Sequence, residues 1–538
     1  MLTTPRRIQD PARRNGYALA VALILLISAA VRLWQLGTPP TYMFDEIYYA
    51  KDAKAIVDNR TGTHGEYRWA AGDEVSWPHP EMGKMAIAAG ILLFGNRSFG
   101  WRLPALIAGI VLLACVYPLG RRLGLSPPWA LLALLFAAAD PLGITQSRIA
   151  TLDIFIAMWT VLCILFALRY VQDGWRVRWL LACGVAGGMA TATKWAGALA
   201  IIAALLMIAI SWYAQRRASR PSEGEEDAEA ARPAGPRRVT LPTVAPLTPP
   251  LSEQMPVTAP EGSAARRVLL VLVSLVVIPI GVYFLSYTQY FIDGHTWSDF
   301  VELVRQAVYF NLHLHATHTY ASTAPSWIID YRPVWYYFQG QKIYYGVIAI
   351  GNPFLWWMAT LSLILAFVLT FMRRTWALLP AALIIIVLYV PWFATTRTSF
   401  LYYMTPVAPF MAILVATALC LFARGIVPHH GWLAAGGAAL ATALLWEPIG
   451  IGATWVFWTL PRKGGDSLGW IGVAVGCLLA VGVTALLLSP QMKSRRPWTA
   501  MVLAGMIIGV VVVFIPVVLG IGISPEHWMH IMWFRNWI

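Results

Sequence analysis

Charge is what this chain has least of. Of its 538 residues only 12% are charged, against 58% that are hydrophobic, and the mean hydropathy is +0.62. A soluble globular domain carries about 25% charged residues. Half that share cannot clothe so long a chain in water, which excludes a soluble enzyme, a disordered scaffold and a free nucleic-acid-binding protein. Cysteine is also scarce. All five (Cys115, Cys163, Cys183, Cys420, Cys477) fall inside apolar segments and no CxxC occurs, so neither a disulfide framework nor a thiolate metal site is implied.

Acidic residues are outnumbered 26 to 40 by Lys and Arg, leaving a net charge of +14. Placement decides what that excess means. The basic residues come in pairs at the ends of apolar segments: Arg13-Arg14, Arg121-Arg122, Arg216-Arg217, Arg266-Arg267, Arg373-Arg374 and Arg495-Arg496. Lys and Arg collect in short cytoplasmic loops of membrane proteins, so the excess reports topology and no nucleic-acid partner is expected.

About 20 apolar residues cross a bilayer. By that measure the expectation is thirteen spans, with the N-terminus cytoplasmic and the C-terminus extracytoplasmic. The count is least firm over 425–500, and eleven is the lower figure. An N-terminal membrane module (1–214) carries a first outer loop over 37–99. A polar segment (215–267) holds nine prolines between Pro221 and Pro260 and the acidic run Glu223–Asp227. It buries too little apolar area to offset chain entropy and reads as a disordered cytoplasmic loop. A second membrane module (268–538) carries a second outer loop over 291–342.

Charged residues at the outer ends of spans carry the chemical information, because charge near a bilayer is costly. Asp45 and Glu46 follow the first span. A carboxylate beside a low-dielectric boundary can accept a proton from a hydroxyl; the same pair equally suits the first turn of a helix. His79 and Lys84 flank a Pro-Glu-Met-Gly turn. Arg32 and Arg102 stand at outer span ends, where snorkelling or a lipid-linked phosphate would account for them. Arg148 and Asp153 share a hairpin tip and are near enough in sequence to pair. The run His313-x-His315-x-x-His318 lacks a carboxylate at ligand spacing, so no metal site is expected.

Taken in order, these motifs resemble the bacterial protein O-mannosyltransferases. The resemblance rests on Phe44-Asp45-Glu46, His79-Pro80-Glu81-Met82-Gly83-Lys84, Arg32, Arg102, Ser147-Arg148 with Asp153, and Lys194-Trp195. It continues through His318-x-Tyr320-x-Ser322, Arg332-Pro333-Val334-Trp335-Tyr336-Tyr337, Gly351-Asn352-Pro353 and the terminal Met532–Ile538. Glu81 and Met82 depart from the family's usual Pro-Leu, and the second outer loop is too short for the β-trefoil of eukaryotic members. The resemblance implies an all-α polytopic membrane protein with the C-type glycosyltransferase (GT-C) fold, its active site on the outer face of the plasma membrane. It implies transfer of mannose from a polyprenyl-phosphate-mannose donor to Ser/Thr hydroxyls of secreted polypeptides in one inverting displacement. Asp45 would be the base and Glu46 would position the acceptor. Arg32, Arg102, Arg148 and Arg332 would face the donor phosphate. His79, Lys84, Asp153, Lys194 and His318 would line the substrate site. No cofactor is implied, though assistance by a divalent ion is left open. Besides the donor, the acceptor chains and membrane lipids, the secretion translocon is a candidate partner. The alternatives are another polyprenyl-phosphate-dependent glycosyltransferase acting on a lipid or glycan, or a transporter. The last is disfavoured because the charges sit at outer span ends and not at the bilayer midplane.

Deleting Ser222–Ser263 is expected to leave sugar transfer by the purified protein unchanged. Loss of turnover in a well-folded deletion variant would show that the segment does more than link.

Overall fold

The computed structural model describes residues 11–60, 78–218, 263–459 and 494–538, apart from 293, 315, 373 and 534–536. Among these, seven helices are long and apolar enough to cross a membrane, and five shorter apolar helices accompany them. The expected span Trp470–Leu488 and nearly all of the Pro-rich segment lie outside the described residues.

Helix α1 (Pro11–Leu33) ends in a turn, and the stretch expected as an outer loop then folds into α2 (Glu46–Arg60) and α3 (Met82–Phe94). The apolar helices α4 (Ser98–Arg122), α5 (Pro127–Ala138), α7 (Asp153–Gln172), α8 (Val177–Thr193) and α9 (Ala198–Ala218) follow. The expected third span, Trp129–Thr145, is broken. Pro141 disfavours helical backbone at Asp140, whose ψ is 115°, so the chain restarts as the short α6 (Pro141–Gln146). The break places Ser147–Leu152 as a buried crossing strap instead of an exposed hairpin tip.

Among the described residues, the second half departs from an all-helical plan at a two-stranded hairpin. The segment expected to open a span at Tyr345 is instead a strand, β2 (Tyr344–Ala349), paired antiparallel with β1 (Val334–Gly340). Its Val, Ile and Tyr residues suit a pleated surface, and the span begins only at Pro353, capped by the Asn352 side chain. The hairpin packs against the C-terminal end of the helix Arg496–Leu519 and the C-terminal tryptophans. Trp335 donates to the Trp537 carbonyl at 2.7 Å and Trp537 donates to the Asp330 carbonyl at 2.9 Å, which ties the terminal residues to this hairpin.

Helices in lipid gain little from hydrophobic burial and associate where small residues let backbones approach. Gly184 and Gly188 are spaced as such a pair on α8. A Cβ at Gly184 would stand 1.8 Å from the Ser274 carbonyl oxygen of the helical segment Ala265–Leu285. Gly184→Ala is therefore expected to cost about 1–3 kcal/mol, read as a lower unfolding midpoint in detergent. Gly281→Ala, on the same neighbouring segment with nothing within 4 Å of the added methyl, is expected to leave it unchanged.

Candidate active site

Asp45 and Glu46 diverge. The turn before them is sharp because Phe44 adopts a left-handed conformation (φ 46°), uncommon for a bulky residue and often retained at functional sites. Glu46 turns into the protein and is fully buried. Its carboxylate accepts both Arg102 Nε–H and Nη2–H at 2.8 Å, the Met43 amide at 2.9 Å and the Ala150 amide at 3.0 Å. Arg102 uses its three other N–H groups on the carbonyls of Leu36, Pro39 and Thr41. A guanidinium has five donors, and here all five are spent within the chain. The pair thus ties the segment 36–46 to α4 and to the strap before α7. Neither residue keeps a hydrogen-bonding group for the acceptor or phosphate role that the sequence suggests.

Asp45 turns the other way, into a chamber walled by aromatic rings. Phe44 stacks on Tyr336 at 4.8 Å between ring centroids, and Phe400 stacks on Tyr402 at 5.4 Å. The Tyr402 hydroxyl donates to Asp45 Oδ2 at 3.4 Å. Tyr336 is fixed from behind by Gln146, which donates to its hydroxyl at 2.8 Å and is itself held by Thr151. Beside the aspartate lies a buried ion pair: Lys194 at the end of α8 donates to Asp153 at the start of α7, at 3.0 Å. The ammonium stands 4.5 Å from the Tyr403 ring, within cation–π range. Removal from water pushes the Asp45 carboxyl up to about 7, against the pull of Lys194 in the other direction. Burial and the positive charges of Lys194, Arg397 and Lys84 hold His79 well below the usual imidazole range, so its ring is neutral.

The remaining expected residues scatter. Lys84 is enclosed between Glu81 and Asp52, joining α3 to α2. Arg148 does not pair with Asp153; it donates to the Arg32 and Trp34 carbonyls at 2.6 and 2.7 Å, closing the C-terminal end of α1, where a cation is favoured. Arg32 is buried against Ser147 and the Ser28 carbonyl, lining a small cavity with Asp140 and Thr405. Arg332 donates to the Thr319 and Ile538 carbonyls. His318 does reach the chamber, its ring 5.0 Å from Phe400 and 5.9 Å from Phe44. His315 lies outside the described residues, and His313 stacks on Tyr309. Of the expected site, Asp45, His79, Asp153, Lys194 and His318 come together.

Two family descriptions match the chain in sequence. Residues 78–222 match "Dolichyl-phosphate-mannose-protein mannosyltransferase", and residues 296–460 match "C-terminal four TMM region of protein-O-mannosyltransferase". The chain belongs to the protein O-mannosyltransferase family. It is a multi-pass membrane glycosyltransferase with the GT-C fold. It is 26% identical over 470 residues to a polyprenol-phosphate-mannose–protein mannosyltransferase of Mycobacterium tuberculosis, covering 76% of this chain and 81% of that one. In fold it resembles the Saccharomyces cerevisiae protein O-mannosyltransferase Pmt1-Pmt2 complex (TM-score 0.66, 12% identity, 97% and 93% of the chains covered). It also resembles ArnT of Cupriavidus metallidurans (TM-score 0.53, 19% identity, 94% and 77% covered).

Phe44 and Tyr336 enter the sequence reading only as motif members; the chamber residues that it passes over are Arg397, Phe400, Tyr402 and Tyr403. Arg397 and Phe400 sit on the polar break between two expected spans, and Tyr402 and Tyr403 at the start of the second. One signal was available there: Arg397 falls on the outer side by the span count, where the positive-inside trend disfavours it.

Because Glu46 and Arg102 satisfy one another in a water-free site, removing one partner strands a buried charge. Arg102→Met is expected to destabilise by about 3–5 kcal/mol, seen as loss of folded protein on size exclusion in detergent. Full stability with lost donor binding would instead give Arg102 a ligand role.

Proposed function

We propose that this enzyme transfers mannose from a polyprenyl-phosphate-linked donor to a Ser or Thr hydroxyl of a polypeptide on the outer face of the membrane, in a single inverting displacement with Asp45 as base. One observation carries the reading. A carboxylate whose proton affinity is raised by burial stands beside a buried Lys194–Asp153 pair, in an aromatic chamber. The relative from M. tuberculosis, named for a polyprenol-phosphate-mannose donor and a protein acceptor, supports the choice of substrates.

The chemistry follows from those groups. The acceptor oxygen attacks the anomeric carbon while its proton passes to Asp45, and the phosphate departs with the bonding electrons from the opposite face. A base with an affinity near neutrality suits that proton transfer. Side-chain cations meet the charge growing on the departing phosphate, so the reading calls on no metal or cofactor. The rings of Phe44, Tyr336, Phe400 and Tyr402 offer flat surfaces to a pyranose. His79, neutral and beside the cations, is placed to hydrogen-bond sugar or acceptor, as is His318 at the rim.

Asp45→Asn is nearly isosteric and removes only the base. It is expected to lower kcat by about 10²–10⁴-fold with donor binding retained, in an assay with radiolabelled polyprenyl-phosphate mannose and a Ser/Thr-rich peptide. The base works as the carboxylate, so wild-type kcat/KM is expected to rise with pH below about 7 and to level off above it. Transfer to a lipid or glycan and never to peptide would overturn the acceptor. An Asp45→Asn enzyme with wild-type turnover would overturn the base.

A further inference from the structure

Arg397 lies on the loop between the 3₁₀ turn Val390–Ala394 and the turn Leu401–Met404 that carries Tyr402 and Tyr403. It differs from the other outer arginines in how its guanidinium is used. Arg102 is saturated by Glu46 and carbonyls, and Arg148 is committed to the end of α1. Arg397 has no carboxylate partner among the described residues. Its Nη1 donates to Asn311 Oδ1, and its Nη2 reaches the Tyr403 hydroxyl only at 3.5 Å. Its Nε is buried and has no hydrogen-bond partner. A buried, charged donor left unpaired is costly unless a ligand completes it.

Its placement is equally particular. Asn311 also donates to the Pro78 carbonyl at 2.9 Å, so one side chain joins the amphipathic helix Trp297–His313, the segment carrying His79, and Arg397. Tyr403 has Arg397 on its hydroxyl and the Lys194 ammonium 4.5 Å from its ring. Two cations therefore flank one tyrosine at the edge of the Asp45 chamber, and among the described residues only Lys194 has a counter-ion. Their charges reach His79 as well. The arrangement is one positive charge in want of an anion, reached from the Asp45 chamber through Tyr403 and Tyr402.

We propose that Arg397, together with Lys194, binds the phosphate of the lipid-linked donor and takes up the charge that accumulates there as the sugar leaves. The inference rests on the sugar-transfer reading above and adds a residue to it. In the step, the bond from the anomeric carbon to the phosphate oxygen breaks and its electron pair stays on that oxygen. The new bond to the acceptor oxygen forms and the acceptor proton goes to Asp45. The donor is a phosphodiester with one negative charge, whereas the departing polyprenyl phosphate is a monoester carrying about −1.5 to −2. A guanidinium with an open N–H gains most where that charge grows, and its planar fork fits two phosphate oxygens as an ammonium does not.

The test uses the full-length protein in nanodiscs. It compares wild type, Arg397→Gln and Arg397→Lys for undecaprenyl phosphate binding, inorganic phosphate binding and mannosyl transfer. Arg397→Gln is expected to weaken undecaprenyl phosphate binding by about tenfold or more and to lower kcat by about a hundredfold. Arg397→Lys is expected to fall between the two. Undecaprenyl phosphate binding by Arg397→Gln equal to wild type would overturn the proposal. So would inorganic phosphate binding as tightly as the lipid, which would mark a free-anion site. Should Arg397→Gln unfold, Arg397→Lys decides: wild-type affinity and kcat there would overturn the role of the fork. If wild type binds the lipid through Arg397 but transfers no mannose, the sugar-transfer reading fails and the phosphate site stands. Mannose transfer undiminished in Arg397→Gln means the reverse.

Discussion

The carboxylate of Glu46 and the guanidinium of Arg102 are both removed from water, and neither has an unfilled hydrogen-bonding position. An ion pair of this kind is costly to assemble and costlier to break. What it secures is geometry. Three carbonyls of the segment 36–41, the amide of Met43 and the amide of Ala150 all converge on it. The turn after α1, helix α4 and the strap before α7 are thereby locked together. Asp45 is the neighbour of that lock. Its direction into the chamber follows from Glu46 being pulled the opposite way.

The division between the two acids is a matter of environment. Glu46 is met by a bidentate arginine and two amides, which favour the anion. Asp45 has one long hydrogen bond from Tyr402, aromatic walls and a lysine already shared with Asp153, so burial raises its affinity for a proton. Two adjacent carboxylates thus meet opposite environments, one saturated by partners and one with a raised affinity for a proton. The same contrast divides the arginines. Those on the first half of the chain close carbonyls and carboxylates within the fold, while Arg397, on the second half, is held by an amide oxygen and a phenol and keeps donor capacity.

The chamber is assembled from both halves of the chain. Asp45, His79, Asp153 and Lys194 come from the first; His318, Tyr336, Arg397, Phe400, Tyr402 and Tyr403 come from the second. What lets the halves meet is close backbone packing at small residues, as where Gly184 admits the Ser274 carbonyl, and the β-hairpin that presents Tyr336. The hairpin is itself anchored by the C-terminal tryptophans, which gives the aromatic tail a structural purpose remote from the reacting atoms.

Much of this was legible in the residues. Membrane residence and the family resemblance follow from composition, order and local motif. These properties depend on which residues occur and how far apart they are. Asp45 could be singled out because an acid near a bilayer boundary is expensive wherever its side chain points. Direction is what sequence could not supply. Glu46 and Asp45 are adjacent and alike in chemistry, and Arg102, Arg148 and Arg397 all fall at ends of expected spans. Which of them faces the chamber depends on partners many tens of residues away: the Ala150 amide for Glu46, the end of α1 for Arg148, Asn311 for Arg397. The break at Asp140 and the strand at Tyr344 were hidden for the same reason, since both lie within apolar runs whose hydropathy alone reads as continuous helix. A span needs only a count of apolar residues, whereas a site needs side chains whose hydrogen-bonding capacity is left over once the fold has taken its share, and that remainder exists only in the tertiary structure.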